Sequence, residues 1–266
     1  RSTPKPSSAA SDVYKRQDLI KLTNKSRTRK ETGRFVVEGK RELQMAFNNG
    51  YKIIKCFYNS SIIDIHTFDL DQNCSIIEVN NDVYSKISYR NSTEGVISVV
   101  EMKQNIDIDL NINKINLILI LDGLEKPGNI GAILRTCDAA NVDLIILTNL
   151  KCDIYNPNVI RSSIGTFFSN KIIKLSNNEA LEFLKMNRFM IYGTSLEAAT
   201  SYESIKYNNS TAIISGSENN GISDFWTNHS DELIKIPMLG MADSLNVSVS
   251  TALSLFEVNR QNKFNR

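Results

Sequence analysis

The sequence is poor in the residues that usually bind metals or form disulfides. Four cysteines without CxxC spacing and two isolated histidines are present, namely Cys56, Cys74, Cys137, Cys152, His66 and His229. Zinc sites and disulfide frameworks normally use closely spaced cysteines and histidines. We therefore expect neither a disulfide framework nor a bound metal.

Long apolar runs are also missing. The longest, Leu117–Leu121, is far too short to cross a bilayer, and no charged-then-apolar signal segment opens the sequence. We expect a soluble protein without a membrane partner, located by default in the cytoplasm. Residues 1–17 lack an initiator Met and are rich in Ser, Pro and Ala, so we interpret them as a disordered tail or a cloning or assembly scar.

The fingerprints of the common nucleotide sites do not occur. The sequence has no G-x-G-x-x-G and no GK[ST], which excludes a Rossmann dinucleotide fingerprint and a P-loop. A nucleotide-like ligand would have to be held in another way.

The order of helix and strand patterns predicts two α/β domains. With 266 residues, 41% of them hydrophobic, the chain can bury one large core or two smaller ones. Residues 18–103 alternate short helices and strands, which predicts a small α/β/α sandwich. Residues 104–114 are rich in Asn and Asp and are predicted to be a linker, and residues 115–266 are the second domain.

The second domain is predicted to be a parallel sheet with helices on both faces, because its apolar strands show little alternation. The predicted strands are 117–121, 144–147, 171–175, 189–192, 211–214 and 233–236, and the helices are 129–140, 158–167, 178–186 and 245–259. In such sheets ligands bind beyond the carboxyl ends of the strands. We expect the site in the loops after Leu121, Tyr192, Ile214 and Ile236.

Basic residues are concentrated near the N-terminus. Between Lys15 and Arg34 there are eight basic residues and two acidic ones, Asp18 and Glu31. Such a segment can neutralise nucleic-acid phosphates, or it can be a solvated basic helix. Both interpretations stay open at this point.

Two of the expected loops contain polar residues and glycines. After the first strand, Asn129 and Arg135 can form a donor pair for a phosphate or ribose, although a surface arginine is the ordinary interpretation. After Ile214, Gly216 and Gly221 either let the backbone approach a ligand or simply make a turn.

A third loop leads into the last helix. Asp243 or Ser244 can cap that helix, and one apolar face is formed by Leu245, Val249, Ala252, Leu253 and Phe256. Asn246 and Ser248 lie off this face at the helix start, where free N–H groups favour anionic or carbonyl-bearing ligands. Alternatively, these polar residues only cap the helix.

Three stretches together indicate a protein family more specifically than any one of them does. They are LEKPGNIGAILRTCDAA, ISGSENNGIS and IPMLGMADSLNVSVSTALSLFE. In order and spacing they resemble the three motifs of the SpoU (TrmH-like) RNA 2′-O-ribose methyltransferases of the SPOUT class. The preceding domain, with an opening from Phe35 to Arg41, is similar to that family's substrate-binding domain, which has the fold of ribosomal protein L30e.

The resemblance implies an S-adenosylmethionine-dependent enzyme with a trefoil knot in its C-terminal parallel-sheet SPOUT domain, which the smaller α/β/α L30e-like domain precedes. It also implies a homodimer, because a second subunit completes the active site in this family. The matching catalytic positions are Asn129, Arg135, Glu218, Ser244 and Asn246. The matching cofactor-binding positions are Thr194, Ser195, Gly216, Ile236, Leu245 and Ser248.

Methyl transfer from a sulfonium to a ribose hydroxyl requires in-line positioning and loss of the hydroxyl proton. An arginine stays protonated in a protein, so we interpret Arg135 as a phosphate clamp that orients the ribose and stabilises developing negative charge. Asn129, Asn246 and Ser244 would complete the hydrogen-bond cage. Glu218 would order its loop or the arginine of a second subunit.

Three hypotheses about the partner follow from the resemblance. Ribosomal RNA is the favoured substrate, because the added N-terminal domain resembles that of ribosome-directed members. Transfer RNA is the alternative target. In the third hypothesis the chain is a non-catalytic RNA-binding dimer, and cofactor binding distinguishes it from an enzyme.

Overall fold

The computed structural model describes residues 9–68, 70–89, 94–103 and 115–262, with side chains from Gln17 onwards. By its internal contacts the chain divides into two units. The first contains residues 1–104 and 153–169, and the second contains residues 105–152 and 170–266. The predicted linker, residues 104–114, lies outside the described residues, as do the first eight residues of the predicted tail.

The first unit is built on a four-stranded sheet. Its N-terminal elements are α1 (Ala9–Asn24), α2 (Ser26–Thr32), β1 (Arg34–Glu38), α3 (Lys40–Asn48), β2 (Ile53–Tyr58), a 3-10 turn (Ile65–Thr67), β3 (Ser75–Glu78), α4 (Asn81–Ile87) and β4 (Val96–Glu101). The strand order is β1-β4-β2-β3, with β4 antiparallel to both neighbours and β2 parallel to β3. This is the smaller α/β domain that the sequence predicts.

Helix α1 begins earlier than the sequence predicts. Leu19 and Leu22 of this helix are buried in one apolar cluster with Val36 of β1 and Ile97 of β4. This burial anchors the second half of α1, and the helix extends back to Ala9. Residues 9–17 are therefore helical, which corrects the expectation of a disordered tail for this part of the chain.

The second unit has a seven-stranded sheet in which every pairing is parallel. Its elements are β5 (Leu117–Asp122), α5 (Pro127–Ala139), β6 (Leu144–Thr148), β7 (Ile172–Lys174), α7 (Asn177–Met186), β8 (Met190–Thr194), β9 (Thr200–Ser201), β10 (Thr211–Ser215), α8 (Asp224–His229), β11 (Glu232–Lys235) and α9 (Val247–Asn262). The strand order is β7-β6-β5-β10-β8-β11-β9. The parallel sheet predicted from the apolar runs is confirmed, and β9 and α8 are additions to it.

Both faces of this sheet are covered, which explains its uninterrupted apolar strands. Successive residues of a strand point to opposite faces, and every residue of β5 and of β6 is buried. On one face, Ile118 and Ile146 pack with Leu184 of α7 and Trp226 of α8. Among the described residues, no helix is both long enough and apolar enough to span a membrane.

Helix α9 packs through a different face from the apolar one predicted for it. Its buried residues are Val247, Thr251, Ser254, Leu255 and Val258. The small Thr251 and Ser254 side chains permit close packing, and the Thr251 hydroxyl lies 2.9 Å from the Ser215 hydroxyl of β10. The predicted apolar face is largely exposed, since 46% of Val249 and 47% of Phe256 are accessible.

Residues 153–169 lie within the predicted second domain but belong to the first unit by their contacts. They include α6 (Pro157–Ser162), which ends five residues before the predicted helix does. Ile164 and Gly165 then adopt positive φ angles and stop the helix. The rings of Phe167 and Phe168 lie against Phe35, at 6.4 and 6.3 Å between ring centroids.

A buried ion pair anchors the start of this segment. Asp153 Oδ2 lies 2.7 Å from both Nε and Nη2 of Arg29, whose side chain is only 2% exposed. Arg29 Nη1 also donates to the carbonyls of Leu22 and Thr23 near the end of α1. One of the eight basic residues between Lys15 and Arg34 is therefore structural.

We expect Arg29→Ala to lower the free energy of unfolding by about 3–5 kcal/mol, because Asp153 would lose its guanidinium partner in a buried setting. Urea unfolding measures this change. Arg27→Ala is the matched control, since Arg27 forms an exposed ion pair with Glu31 and its loss should cost well under about 1 kcal/mol. Equal effects of the two substitutions would contradict a structural role for Arg29.

Candidate active site

The predicted loops meet at the carboxyl edge of the seven-stranded sheet. Strands β5, β10, β8 and β11 are consecutive neighbours in the sheet and all run parallel. Their carboxyl ends therefore lie at one edge, where β10 is inserted between β5 and β8. This is the arrangement in which α/β sheets form ligand sites.

Four of the predicted residues form one hydrogen-bonded network at this edge. Ser248 donates to Asn246 Oδ1 through its backbone N–H and its hydroxyl, at 2.9 and 2.6 Å. Asn246 Nδ2 then donates to Asn129 Oδ1 at 3.2 Å, and Asn129 Nδ2 donates to Glu218 Oε1 at 2.5 Å. The network therefore joins residues from all three polar stretches, with two from the third.

Asn246 caps helix α9 and belongs to the network at the same time. Its side-chain oxygen accepts from the backbone N–H of Ser248, as an N-cap residue does. The helix begins at Val247, so the prediction that Asp243 or Ser244 caps it is wrong. Capping leaves the Asn246 amide nitrogen to donate across to α5, so the simple capping interpretation and the functional one are compatible.

The loop after β10 is closed on itself by its glycines. Ser217 and Gly221 exchange two backbone hydrogen bonds at 2.8 and 3.0 Å, and Gly221 has a φ of 66°. A Cβ on Gly216 would lie 1.9 Å from the carbonyl carbon of Gly221. Gly216 therefore lets the backbone of its own loop pack closely against Gly221. In this closed loop, Glu218 faces Asn129.

The predicted cofactor-binding residues follow three adjacent strands. Thr194 Oγ1 donates to the carbonyl of Ile214 at 2.9 Å, and the Ser195 N–H donates to the carbonyl of Ile234 at 2.9 Å. Ile236 is half-buried at the end of β11, and 38% of Leu245 is exposed. Beyond Ile236, Leu239 and Met241 are fully exposed, which leaves apolar surface in this loop.

Two predicted catalytic residues do not join the network. Arg135 is exposed on α5, and within the described ranges neither a hydrogen bond nor an ion pair involves its side chain. The face of α5 that packs inward contains Ile130, Ile133 and Leu134 instead. Ser244 is exposed, and its hydroxyl makes no hydrogen bond to the part of the chain that the structure describes.

Sequence reasoning missed Asp122, the last residue of β5. Its carboxyl group is almost fully buried, with the residue 3% exposed, and it accepts hydrogen bonds from Thr148, Asn149 and Ser223. The available signal was an acidic residue at the end of the apolar run LILILD.

The cysteine of α5 is buried, and the described residues contain no metal-binding cluster. Cys137 lies on α5, and burial raises the pKa of its thiol far above the usual range. The thiolate that acts as a nucleophile is therefore disfavoured. Among the residues that the structure describes, no group of three or more His, Cys, Asp or Glu side chains could hold a metal ion.

Comparison with protein families assigns both parts of the chain. Residues 116–256 match the model of the SpoU rRNA methylase family, which is more than half of the chain. The chain belongs to the SpoU rRNA methylase family. Residues 16–98 match the MRM3-like substrate-binding domain, so the resemblance noted from the three motifs is confirmed.

Individual SpoU relatives cover nearly the whole chain. The 23S rRNA (guanosine(2553)-2′-O)-methyltransferase RlmP of Bacillus subtilis is 26% identical over 243 residues, which is 91% of this chain and 94% of the relative. A solved RNA 2′-O ribose methyltransferase is 31% identical with a TM-score of 0.83, over 94% of this chain and 96% of the other. An AdoMet-bound rRNA methyltransferase from Sinorhizobium meliloti is 26% identical, also with a TM-score of 0.83, over 96% and 97% of the chains.

We expect Gly216→Ala to destabilise this SpoU domain by about 1–3 kcal/mol, because the added Cβ would overlap rigid backbone atoms. Thermal or urea unfolding measures the loss. Gly240→Ala is the control, since a Cβ there meets no atom within 4 Å, and its effect should stay within about 0.5 kcal/mol. If Gly216→Ala were as stable as Gly240→Ala, the loop would be adaptable rather than closed on itself.

Proposed function

We propose that the chain transfers a methyl group from S-adenosylmethionine to a ribose 2′-hydroxyl in ribosomal RNA. The observation that supports this most directly is the Ser248–Asn246–Asn129–Glu218 network, which joins the three SpoU motifs at one edge of the sheet. The identity of the RNA rests on the MRM3-like domain and on RlmP, a relative that acts on 23S rRNA.

The residues at the ends of β8, β10 and β11 fit an S-adenosylmethionine site. Thr194, Ser195, Gly216, Ile236, Leu245 and Ser248 are the residues that would hold the cofactor. The exposed apolar side chains near Ile236, Leu239 and Met241 among them, suit an uncharged purine ring that would cover them. When bound, the cofactor supplies a methyl group on a positively charged sulfur.

Asn129 and Asn246 would hold the ribose by their side-chain amides. Each amide nitrogen has two hydrogens, and within the described part of the chain each donates one of them in the network. The other hydrogen on each is available to an oxygen of the substrate. Two such donors, fixed before the substrate binds, stabilise negative charge that develops on the 2′-oxygen.

Glu218 and Arg135 have supporting roles in this proposal. Glu218 Oε1 already accepts the short hydrogen bond from Asn129, which suits an orienting group better than a free base. Arg135 is exposed and positively charged, so it can bind an RNA phosphate with its planar guanidinium group. Ser244 would contact the substrate from the loop before α9.

A homodimer is part of the proposal. The exposed side of α9 presents the apolar side chains of Val249, Leu253 and Phe256, which are 46%, 37% and 47% accessible. Burying them against a second copy would remove this surface from water. Arg135 lies on α5, which packs on α9, and it can therefore serve the site of the other subunit.

The trefoil knot also belongs to the proposal. In the sheet, β10 lies between β5 and β8, and after β11 the chain returns so that α9 contacts β10 and α5. The insertion of β10 and the return of α9 are compatible with the knot that the SpoU resemblance implies. The cytoplasmic location stays a prediction.

The exposed basic residues of the first unit are proposed to bind RNA phosphates. Arg29 is buried and Arg27 is paired with Glu31, but Lys21, Lys25, Lys30 and Arg34 are exposed. Phosphate contacts of this kind give most of the affinity and make it depend on salt. The MRM3-like domain would thus supply affinity for the RNA that the SpoU domain methylates.

The activity is tested by incubating the full chain with labelled S-adenosylmethionine and RNA from cells that lack the gene. We expect label in ribosomal RNA and a ribose-methylated nucleotide by mass spectrometry. Label confined to transfer RNA would replace the substrate assignment. Cofactor and RNA binding that yields no methylated RNA would favour the non-catalytic dimer and overturn the proposal.

A mixture of subunits tests the shared site. Arg135→Ala alone should lose about 2–4 kcal/mol of transition-state stabilisation, as when one oxyanion donor is removed, and Arg135→Lys should retain part of the activity. Mixing Arg135→Ala with Asn246→Ala subunits should restore part of the activity, because one of the two composite sites would be intact. No restoration in heterodimers shown to form would place both residues in one subunit's site.

A further inference from the structure

The carboxyl group of Asp122 is a buried acceptor shared by three donors. Its Oδ1 accepts from the Asn149 amide at 2.8 Å and from the Thr148 hydroxyl at 3.2 Å. Its Oδ2 accepts from the backbone N–H of Ser223 at 2.8 Å. With the residue only 3% exposed, water cannot readily replace these donors or this acceptor.

The three donors come from two different parts of the carboxyl edge. Thr148 ends β6 and Asn149 follows it, whereas Ser223 ends the loop after β10 and is the N-cap residue of α8. Asp122 itself is the last residue of β5, directly before the loop to α5. One side chain therefore joins β5, the end of β6 and the far end of the loop that contains Glu218.

The position of Glu218 follows from how its loop is held. At the near end, Ser215 pairs with Leu121 in the sheet, and its hydroxyl contacts the Thr251 hydroxyl at 2.9 Å. In the middle, Ser217 and Gly221 are bonded to each other. At the far end, the hydrogen bond from Ser223 to Asp122 ties the loop to the strand that leads to Asn129.

We propose that Asp122 is a positioning residue for methyl transfer, which acts through the Glu218–Asn129 hydrogen bond. This inference rests on the proposed function. An asparagine at position 122 would have one side-chain oxygen in place of two, so the Ser223 N–H or the donors at the end of β6 would lose an acceptor. The loop would then hold Glu218 less firmly against Asn129.

Asp143 provides a matched comparison. Its Oδ2 accepts from the backbone N–H groups of Asn116 and Leu117, at 2.8 and 3.0 Å. Like Asp122, Asp143 is a carboxylate that accepts backbone hydrogen bonds at a strand end. Its contacts, however, lie at the amino end of β5, away from the network. Because both N–H groups share one oxygen, an asparagine at 143 could still accept from both, whereas Asp143→Ala removes the acceptor. Asp143→Ala therefore reports what the loss of a sheet-end acceptor does to stability alone.

The test is a double-mutant cycle between Asp122→Asn and Glu218→Ala, with kcat and the KM for RNA measured at saturating cofactor. We expect Asp122→Asn to lower kcat about tenfold or more, since a buried donor loses its acceptor, and to leave the KM for RNA within about twofold. In the Glu218→Ala background the same substitution should change kcat by less than about twofold. Asp143→Ala should leave kcat within about twofold, even where it lowers the melting temperature.

Ser223→Pro removes the same hydrogen bond from the donor side. Ser223 has a φ of −67°, which proline adopts, and its N–H is outside the helix ladder of α8. We expect the same loss of kcat and the same dependence on Glu218 from this variant, which serves if Asp122→Asn does not fold. Effects that add to those of Glu218→Ala, or an unchanged kcat in folded variants, would overturn the positioning role of Asp122. The proposed function would stand in that case. A wild-type chain that methylates no RNA would overturn the proposed function as well.

Discussion

The side-chain amide of Asn129 is the point at which three loops of the sheet edge are joined. An amide can accept on one atom and donate on the other, so Asn129 links Asn246 to Glu218 without any charged group between them. Neither a carboxylate nor an ammonium group could replace it, because one only accepts and the other only donates. The arrangement of the polar loops depends on this bifunctional residue.

The sheet makes this junction possible. Inserting β10 between β5 and β8 brings the loop after β10 beside the start of α5, although the two are far apart in sequence. Both faces of the sheet are covered, so its strands are rigid supports and their ends vary little in position. Buried side chains beside the strand ends, such as Asp122 of β5 and Thr251 of α9, hold the loops in place by hydrogen bonds.

Much of the second unit could be predicted because its signals are local. Runs such as Leu117–Leu121 indicate buried parallel strands, and the three motifs lie in loops that directly follow strands. The burial of α9 could not be predicted in this way, because apolar residues on a helix do not say whether the sheet or another partner covers them. Helix α9 instead buries a face that contains Thr251 and Ser254, and the Thr251 hydroxyl contacts Ser215 of β10.

Long-range partners explain the other differences. Arg29 belongs to a basic segment in the sequence, and only the fold shows that Asp153, 124 residues away, neutralises it. Asp122 accepts a hydrogen bond from a residue 101 positions later, which no local pattern reports. The grouping of residues 153–169 with the first unit is a similar case, because the ring cluster around Phe35 combines aromatic residues that are distant in the chain.

That grouping has a consequence for how the chain folds during synthesis. The first unit cannot complete its aromatic cluster when β4 emerges from the ribosome, because Phe167 and Phe168 have not yet been made. It must wait for β5, α5 and β6 to be translated and then close a long loop, whose entropic cost grows only slowly with length. The first unit is thus completed only after part of the second unit has been translated, and Phe35 lacks its ring contacts with Phe167 and Phe168 during that interval.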